Sequence, residues 1–173
     1  LGWVRENLPI RRRLRMLDMP ANGPLSAIHH EALSLASMNH RDSGFSCGVI
    51  RMNTIAGCQE VASYIAHQGT PGLRIVVLHS LFPGYIRNRI QNAIAKVLSD
   101  GYHEKASHVL VITTPIIETG MDYDFDFAIT EPCTDHSLVQ LAGRVRRHRR
   151  DEYLVHNVSV CQRTLRDLRR GNK

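Results

Sequence analysis

Gln140, Arg144 and Arg147 are spaced four and three residues apart, the interval that puts side chains on one face of a helix and lets them reach one ligand together. Two guanidinium forks and an amide suit a triphosphate. The cations can neutralise charge on a phosphoryl group in transfer, and the amide can orient the attacking water or hold a phosphate oxygen. The competing interpretation is an ordinary solvated helix face whose arginines pair with local carboxylates, and Arg146, Arg149 and Arg150 fit that description. Gly143, inside the same run, suggests close packing of this helix on a neighbour. Other chemistry is harder to find. The ten His residues are scattered without ligand spacing, so no metal site is expected. Cys47, Cys58, Cys133 and Cys161 lie too far apart for a C-x-x-C pair and read as reduced core thiols.

These side chains need elements to carry them. After a stretch without apolar period, Ser26 caps an expected helix to about Met38, and residues 45–50 form a short apolar run that reads as a buried strand. Asn53 or Thr54 then caps a helix over 55–67 that stops at Gly69. Residues 73–78 give a second strand, and Ile86, Ile90, Ile94 and Val97 mark a helix ending near Asp100. Strands follow at 109–112 and 127–130, then a helix from Ser137 through Arg147 and a fifth strand at 154–160. Alternating strands and helices imply right-handed crossovers and a mainly parallel sheet with helices on both faces, an α/β fold. In such a sheet the chemistry collects in the loops beyond the strand carboxyl ends, here 51–54, 79–83, 113–126 and 131–136.

The composition of the 173 residues is that of a globular chain, with 43% hydrophobic and 22% charged residues. No apolar run approaches the roughly 18 residues of a membrane helix, so no membrane partner is expected and a cytoplasmic location is. The net charge of +6 is unevenly placed: residues 1–20 carry +3, 21–140 carry −4 and 141–173 carry +7, with only three Lys among the 22 cations. Arginine excess points to a polyanion, since its planar fork recognises phosphate bidentately. The absence of an initial Met suggests a fragment.

The string Gln140-Leu141-Ala142-Gly143-Arg144-Val145-Arg146-Arg147 resembles motif VI of superfamily 2 helicases, Q-x-x-G-R-x-x-R. Three further resemblances precede it in the right order. Val49-Ile50-Arg51-Met52-Asn53-Thr54 is similar to motif IV, and Thr114-Pro115-Ile116-Ile117-Glu118-Thr119-Gly120-Met121-Asp122 to motif V with an acidic continuation through Asp124, Phe125 and Asp126. Leu78-His79-Ser80-Leu81-Phe82-Pro83 resembles the H-S-R-F-P segment of the CRISPR-associated helicase-nucleases of type I interference systems, most closely the type I-F form fused to an integration subunit. Leu81 and Gln91 depart from that family, which carries Arg and Glu there, and the departures bear on any phosphate contact from that loop.

The resemblance implies the second RecA-like domain of a motor that uses ATP and Mg, held mainly by a preceding RecA-like domain. It implies residues 1–44 as connector and leading helix, 45–160 as the domain and 161–173 as the start of a C-terminal linker. Gln140, Arg144 and Arg147 would act on the γ-phosphate, with Gly120, Asp122 and Gly143 also at the nucleotide. Arg51, Asn53, Thr54, His79, Ser80, Thr113 and Thr114 would lie along single-stranded DNA, where hydroxyls, helix-start amides and a cation suit sequence-independent phosphate contacts. Thr54 as a plain N-cap is compatible with that role. Implied partners are the guide-RNA surveillance complex and the CRISPR integrase, and the family's nuclease domain would bring divalent metals outside this chain. The sequence contains no G-K-[ST] phosphate loop, so the chain alone is expected not to hydrolyse ATP. Two alternatives remain at this point: another superfamily 2 DNA or RNA helicase, and a non-enzymatic basic module that binds nucleic acid.

Overall fold

The computed structural model describes residues 13–41, 44–100, 108–118, 122–147 and 156–170. Its strands are β1 (Leu14–Leu17), β2 (Ser46–Arg51), β3 (Leu73–Leu78), β4 (His108–Thr113), β5 (Phe127–Thr130) and β6 (Val158–Cys161). They form one sheet in the order β1-β6-β5-β2-β4-β3, and every pairing is parallel. The helices are α1 (Pro24–Met38), α2 (Ile55–His67), α3 (Gly84–Asp100), α4 (Asp135–Ala142) and α5 (Leu165–Arg170), with a 3₁₀ turn at Pro115–Glu118 between β4 and β5.

The central strands are apolar on both faces because both faces are covered. On β4, Leu110 and Ile112 join a core with α1, α2 and α5, while Val109 and Val111 join a second core with α3 and α4. The first core also takes in Leu17 and Met19 on one side and Leu165 and Leu168 on the other, so the packed body extends past residues 45–160 at both ends. Gly48 lets β2 and β5 meet there. It pairs in register with Phe127, and a Cβ at Gly48 would sit 2.1 Å from the Phe127 ring.

Several elements differ from their sequence expectation. The stretch ahead of α1 contains edge strand β1, whose four residues are too short for a period to stand out. Ser26 does not cap α1. That helix starts at Pro24, whose fixed φ suits a first helical position, after Gly23 at φ 138°. Ser137 is likewise inside α4, and its N–H donates to the actual cap, Thr134. The expected helix to Arg147 stops at Ala142 instead. Phe125 N–H donates to Arg144 O and Arg146 N–H donates to Phe125 O, both at 2.8 Å, and this parallel bridge between Phe125 and Val145 replaces the helical bonds. Gly143 is the C-cap, where a Cβ would crowd its own helix at Val139 O, so it does not serve packing on a neighbour. Residues 154–155 of the expected last strand lie outside the described residues.

Candidate nucleotide and nucleic-acid site

β2 stands at the middle of the sheet, with β4 and β3 on one side and β5, β6 and β1 on the other. The winding reverses at this strand, and its carboxyl end is where a crevice forms in a doubly wound sheet. Met52 N–H donates to Thr113 O at 2.8 Å and Glu131 N–H to Arg51 O at 3.1 Å, so three strand ends are pinned together.

The residues expected along a nucleic acid separate into exposed and buried groups. Asn53, Thr54 and Ser80 are exposed at this edge. Thr54 is the N-cap of α2 and accepts the Gly57 N–H at 3.0 Å. Asn53 is fastened at both ends: its N–H donates to Glu131 Oε2 at 2.7 Å and its side-chain amide to Pro132 O at 2.8 Å. Arg51, by contrast, is only 4% exposed. Its Nε donates to Glu118 Oε1 at 2.7 Å and its Nη1 to Asn53 Oδ1. A buried guanidinium must be paired to offset its lost hydration, and this one is turned inward rather than offered to a phosphate. Thr113 and Thr114 are buried too, and the Thr113 hydroxyl donates to Thr114 O at 3.1 Å. His79 is buried and stacks on Phe82, with ring centroids 4.2 Å apart and planes 6° from parallel. These four support the loops rather than line their surface.

Of the residues expected at a nucleotide, Asp122, Arg144 and Arg147 are gathered where the chain returns from β4 to β5. Arg147 Nη1 donates to Asp122 Oδ1 at 2.6 Å, and Arg147 N–H donates to Asp124 Oδ1 at 2.6 Å. The two side chains of that ion pair are 48% and 56% exposed. Arg144 is only 8% exposed; its Nη2 donates to Glu118 O at 2.8 Å, and its guanidinium carbon lies 5.6 Å from the centre of the Tyr123 ring. Burial pushes the Tyr123 phenol up, against the opposing pull of the Arg144 charge and the Gln91 amide. Gln140 stays exposed on α4. Because the helix ends at Ala142, Arg144 and Arg147 lie beyond it and do not share a helical face with Gln140. Gly120 lies outside the described residues.

Two carboxylates organise the site and were not singled out from sequence. Glu118, there indistinguishable from a surface charge, accepts from Arg51 and, at 3.0 Å through Oε2, from the Ser137 hydroxyl. Glu131 accepts from Asn53 N–H and, at 2.7 Å through Oε1, from Leu165 N–H. The available signal for Glu131 was its place directly after a strand, inside a loop already marked as functional. Asp126 is fully buried and takes Cys47 N–H at 2.6 Å and Arg41 Nε at 3.3 Å. Among the described residues no group of three or more His, Cys, Asp or Glu is arranged for a metal, and no helix is long and apolar enough to cross a membrane.

Residues 44–150 match the family description "CRISPR-associated nuclease/helicase Cas3, C-terminal". The chain belongs to this family. It is 31% identical over 155 residues to the Cas3 nuclease/helicase of subtype I-F/YPEST from Pseudomonas aeruginosa strain UCBPP-PA14, covering 77% of this chain and 14% of that protein. It is also 31% identical over 170 residues to the corresponding protein of Pectobacterium atrosepticum, covering 83% of this chain and 16% of that one. The chain therefore spans about one-seventh of the length of these relatives. Among solved structures, T. fusca Cas3 with AMPPNP superposes with a TM-score of 0.71 at 21% identity, over 90% of this chain and 19% of the other. A chain of a "CRISPR RNA-guided surveillance complex, pre-nicking" gives 0.66 at 21% identity, over 89% and 19%. At these identities the superpositions establish the α/β fold shared with Cas3 RecA-like domains.

Proposed function

We propose that this chain is the second RecA-like domain of an ATP-driven single-strand DNA translocase coupled to a nuclease, acting in CRISPR interference against foreign DNA in the cytoplasm. ATP and Mg would be held mainly by a preceding RecA-like domain, and the nuclease and its divalent metals would lie elsewhere in the protein. The observation that carries this reading is the Arg147–Asp122 pair. An exposed ion pair is worth little, at most about 1 kcal/mol, so a triphosphate with several charges can take Arg147 from Asp122 at small cost. The Asp122 carboxylate beside it can accept a ribose hydroxyl, while the Asp124 bond to Arg147 N–H keeps the backbone in place. The arrangement thus fits a nucleotide on both its phosphate and sugar sides.

On the sheet edge, Thr54 at the start of α2 and Ser80 after β3 offer hydroxyls and a helix amino terminus to successive phosphates. None of these contacts reads a base, as a translocase requires, because it must release every nucleotide. Closing and opening of the cleft between the two motor domains, with unequal grip on the strand, would then move DNA past the protein. The solved neighbour in an RNA-guided surveillance complex supports such a complex as a partner, and the CRISPR integrase is a further partner in this reading.

The test compares the full-length protein with the 173-residue chain in an ATPase assay with and without single-stranded DNA. The full-length protein should turn over ATP and be stimulated by DNA, and the chain alone should be idle because it has no G-K-[ST] loop. Turnover by the isolated chain, or a full-length protein indifferent to both ATP and DNA, would overturn the reading.

A further inference from the structure

Between the nucleic-acid edge and the nucleotide-facing arginines runs a short buried chain of polar contacts. It starts at Asn53, exposed at the head of α2, whose Oδ1 accepts from Arg51 Nη1. Arg51 passes to Glu118 Oε1 at 2.7 Å, with side chains only 5% and 12% exposed. The Ser137 hydroxyl holds the second carboxylate oxygen at 3.0 Å, and the carbonyl of the same Glu118 accepts from Arg144 Nη2 at 2.8 Å. Glu118 therefore touches three separate elements: the end of β2, α4, and the arginine beyond α4. Nothing about stability asks for this arrangement, since a buried ion pair is often no better than apolar packing. What it supplies is connection: a shift of Asn53 displaces Arg51, and a shift of Glu118 moves the oxygen that holds Arg144.

We infer that Glu118 is a positioning residue that couples DNA at the Asn53–Thr54 edge to the placement of Arg144 at the nucleotide. This rests on the motor reading above and assigns the stimulation of turnover by DNA to a specific contact. A DNA phosphate settling at the amino end of α2 accepts from the Asn53 side-chain amide in place of Pro132 O, draws Asn53 Oδ1 away from Arg51, and lets the Arg51–Glu118 pair draw the 3₁₀ turn into the position that aims Arg144. The rival is that Glu118 only holds the DNA loop in shape, in which case its loss should act on DNA affinity.

The experiment uses the full-length protein and measures two quantities for each variant: the ratio of turnover with and without saturating single-stranded DNA, and the DNA dissociation constant. E118Q keeps the shape and removes the charge. It should lower the stimulation ratio about tenfold, within the usual range of a coupling free energy, with the DNA dissociation constant unchanged. S137A, which takes away only one bond to the carboxylate, should give a smaller loss of the same kind and guards against a misfolded E118Q. R51M and E118Q combined should lose no more stimulation than either alone, because the two residues act as one unit. An unchanged ratio in E118Q and S137A overturns the inference, and so does a fall in ratio matched by an equal loss of DNA affinity. A wild-type protein without DNA stimulation fails at the earlier step, and then it is the motor reading that is wrong.

Discussion

Burial decides which side chains of this chain are available for chemistry and which are spent on structure. Cys58 and Cys161 show this for the thiols. Burial pushes Cys58 up to about 11 and Cys161 to about 12, the latter with help from the nearby Glu131 charge. Cys47 is buried as well, whereas Cys133 is partly exposed. A colorimetric thiol titration at pH 8 should find one fast-reacting cysteine, Cys133, and release the other three only on denaturation. Rapid reaction of all four in the native protein would contradict the described packing. The same criterion separates the arginines. Arg51 and Arg144 are buried and committed to Glu118, while Arg147 is half exposed and its guanidinium is held by the exposed Asp122 carboxylate. Arg147 is accordingly the arginine best placed to meet a phosphate directly.

At the scale of elements, β2 to α3 were legible in the sequence because apolar runs, a Thr cap and Gly stops mark them without tertiary help. Residues 73–78 and 127–130 are strands at their expected bounds. The extent of α4 was not legible. An R-x-x-R spacing continues a helix on paper, but the Phe125–Val145 bridge is a contact across twenty residues that periodicity cannot register. The inward turn of Arg51 was hidden for a similar reason, since its partner Glu118 is 67 residues away. Edge strand β1 fell below the length at which alternation is visible. Gly48 illustrates a constraint that only the assembled sheet reveals. Gly48→Ala would place a methyl against the Phe127 ring, and overpacking of this kind typically costs about 1–3 kcal/mol. Chemical denaturation should show the unfolding free energy falling by that amount, through a lower midpoint at constant slope, and Phe127→Leu in the same background should recover part of it. An Ala at position 48 without effect would mean that β2 and β5 do not pair in this register.

For the whole molecule, two histidines make stability fall on the acid side of pH 6.5. Burial lowers His29, helped by neighbouring His30, and burial lowers His108, helped by His40, both from 6.5. His29 Nε2 lies 3.2 Å from the Thr70 hydroxyl, and His108 Nδ1 lies 2.9 Å from that of Ser46. The unfolded chain takes up these protons first, so their contribution to stability is fully present above pH 6.5 and is lost as pH falls through the depressed folded values. Melting temperature should therefore decline as pH falls below 6.5, and H29Q with H108Q should flatten that decline. The central claim, that Arg147 of this domain reaches a nucleotide bound mainly by its partner domain, has its most direct test in single-turnover and steady-state ATP hydrolysis by the full-length protein carrying R147A, R147K and R150A. R147A should slow DNA-stimulated turnover by about 10³-fold or more while nucleotide binding suffers much less, because the interaction is made mainly in the transition state. R147K keeps the charge but loses the fork and should also be slow, whereas R150A should turn over near the wild-type rate. Near-normal turnover by R147A, with the loss falling on R150A instead, would contradict the account and make the basic run a DNA-contacting patch.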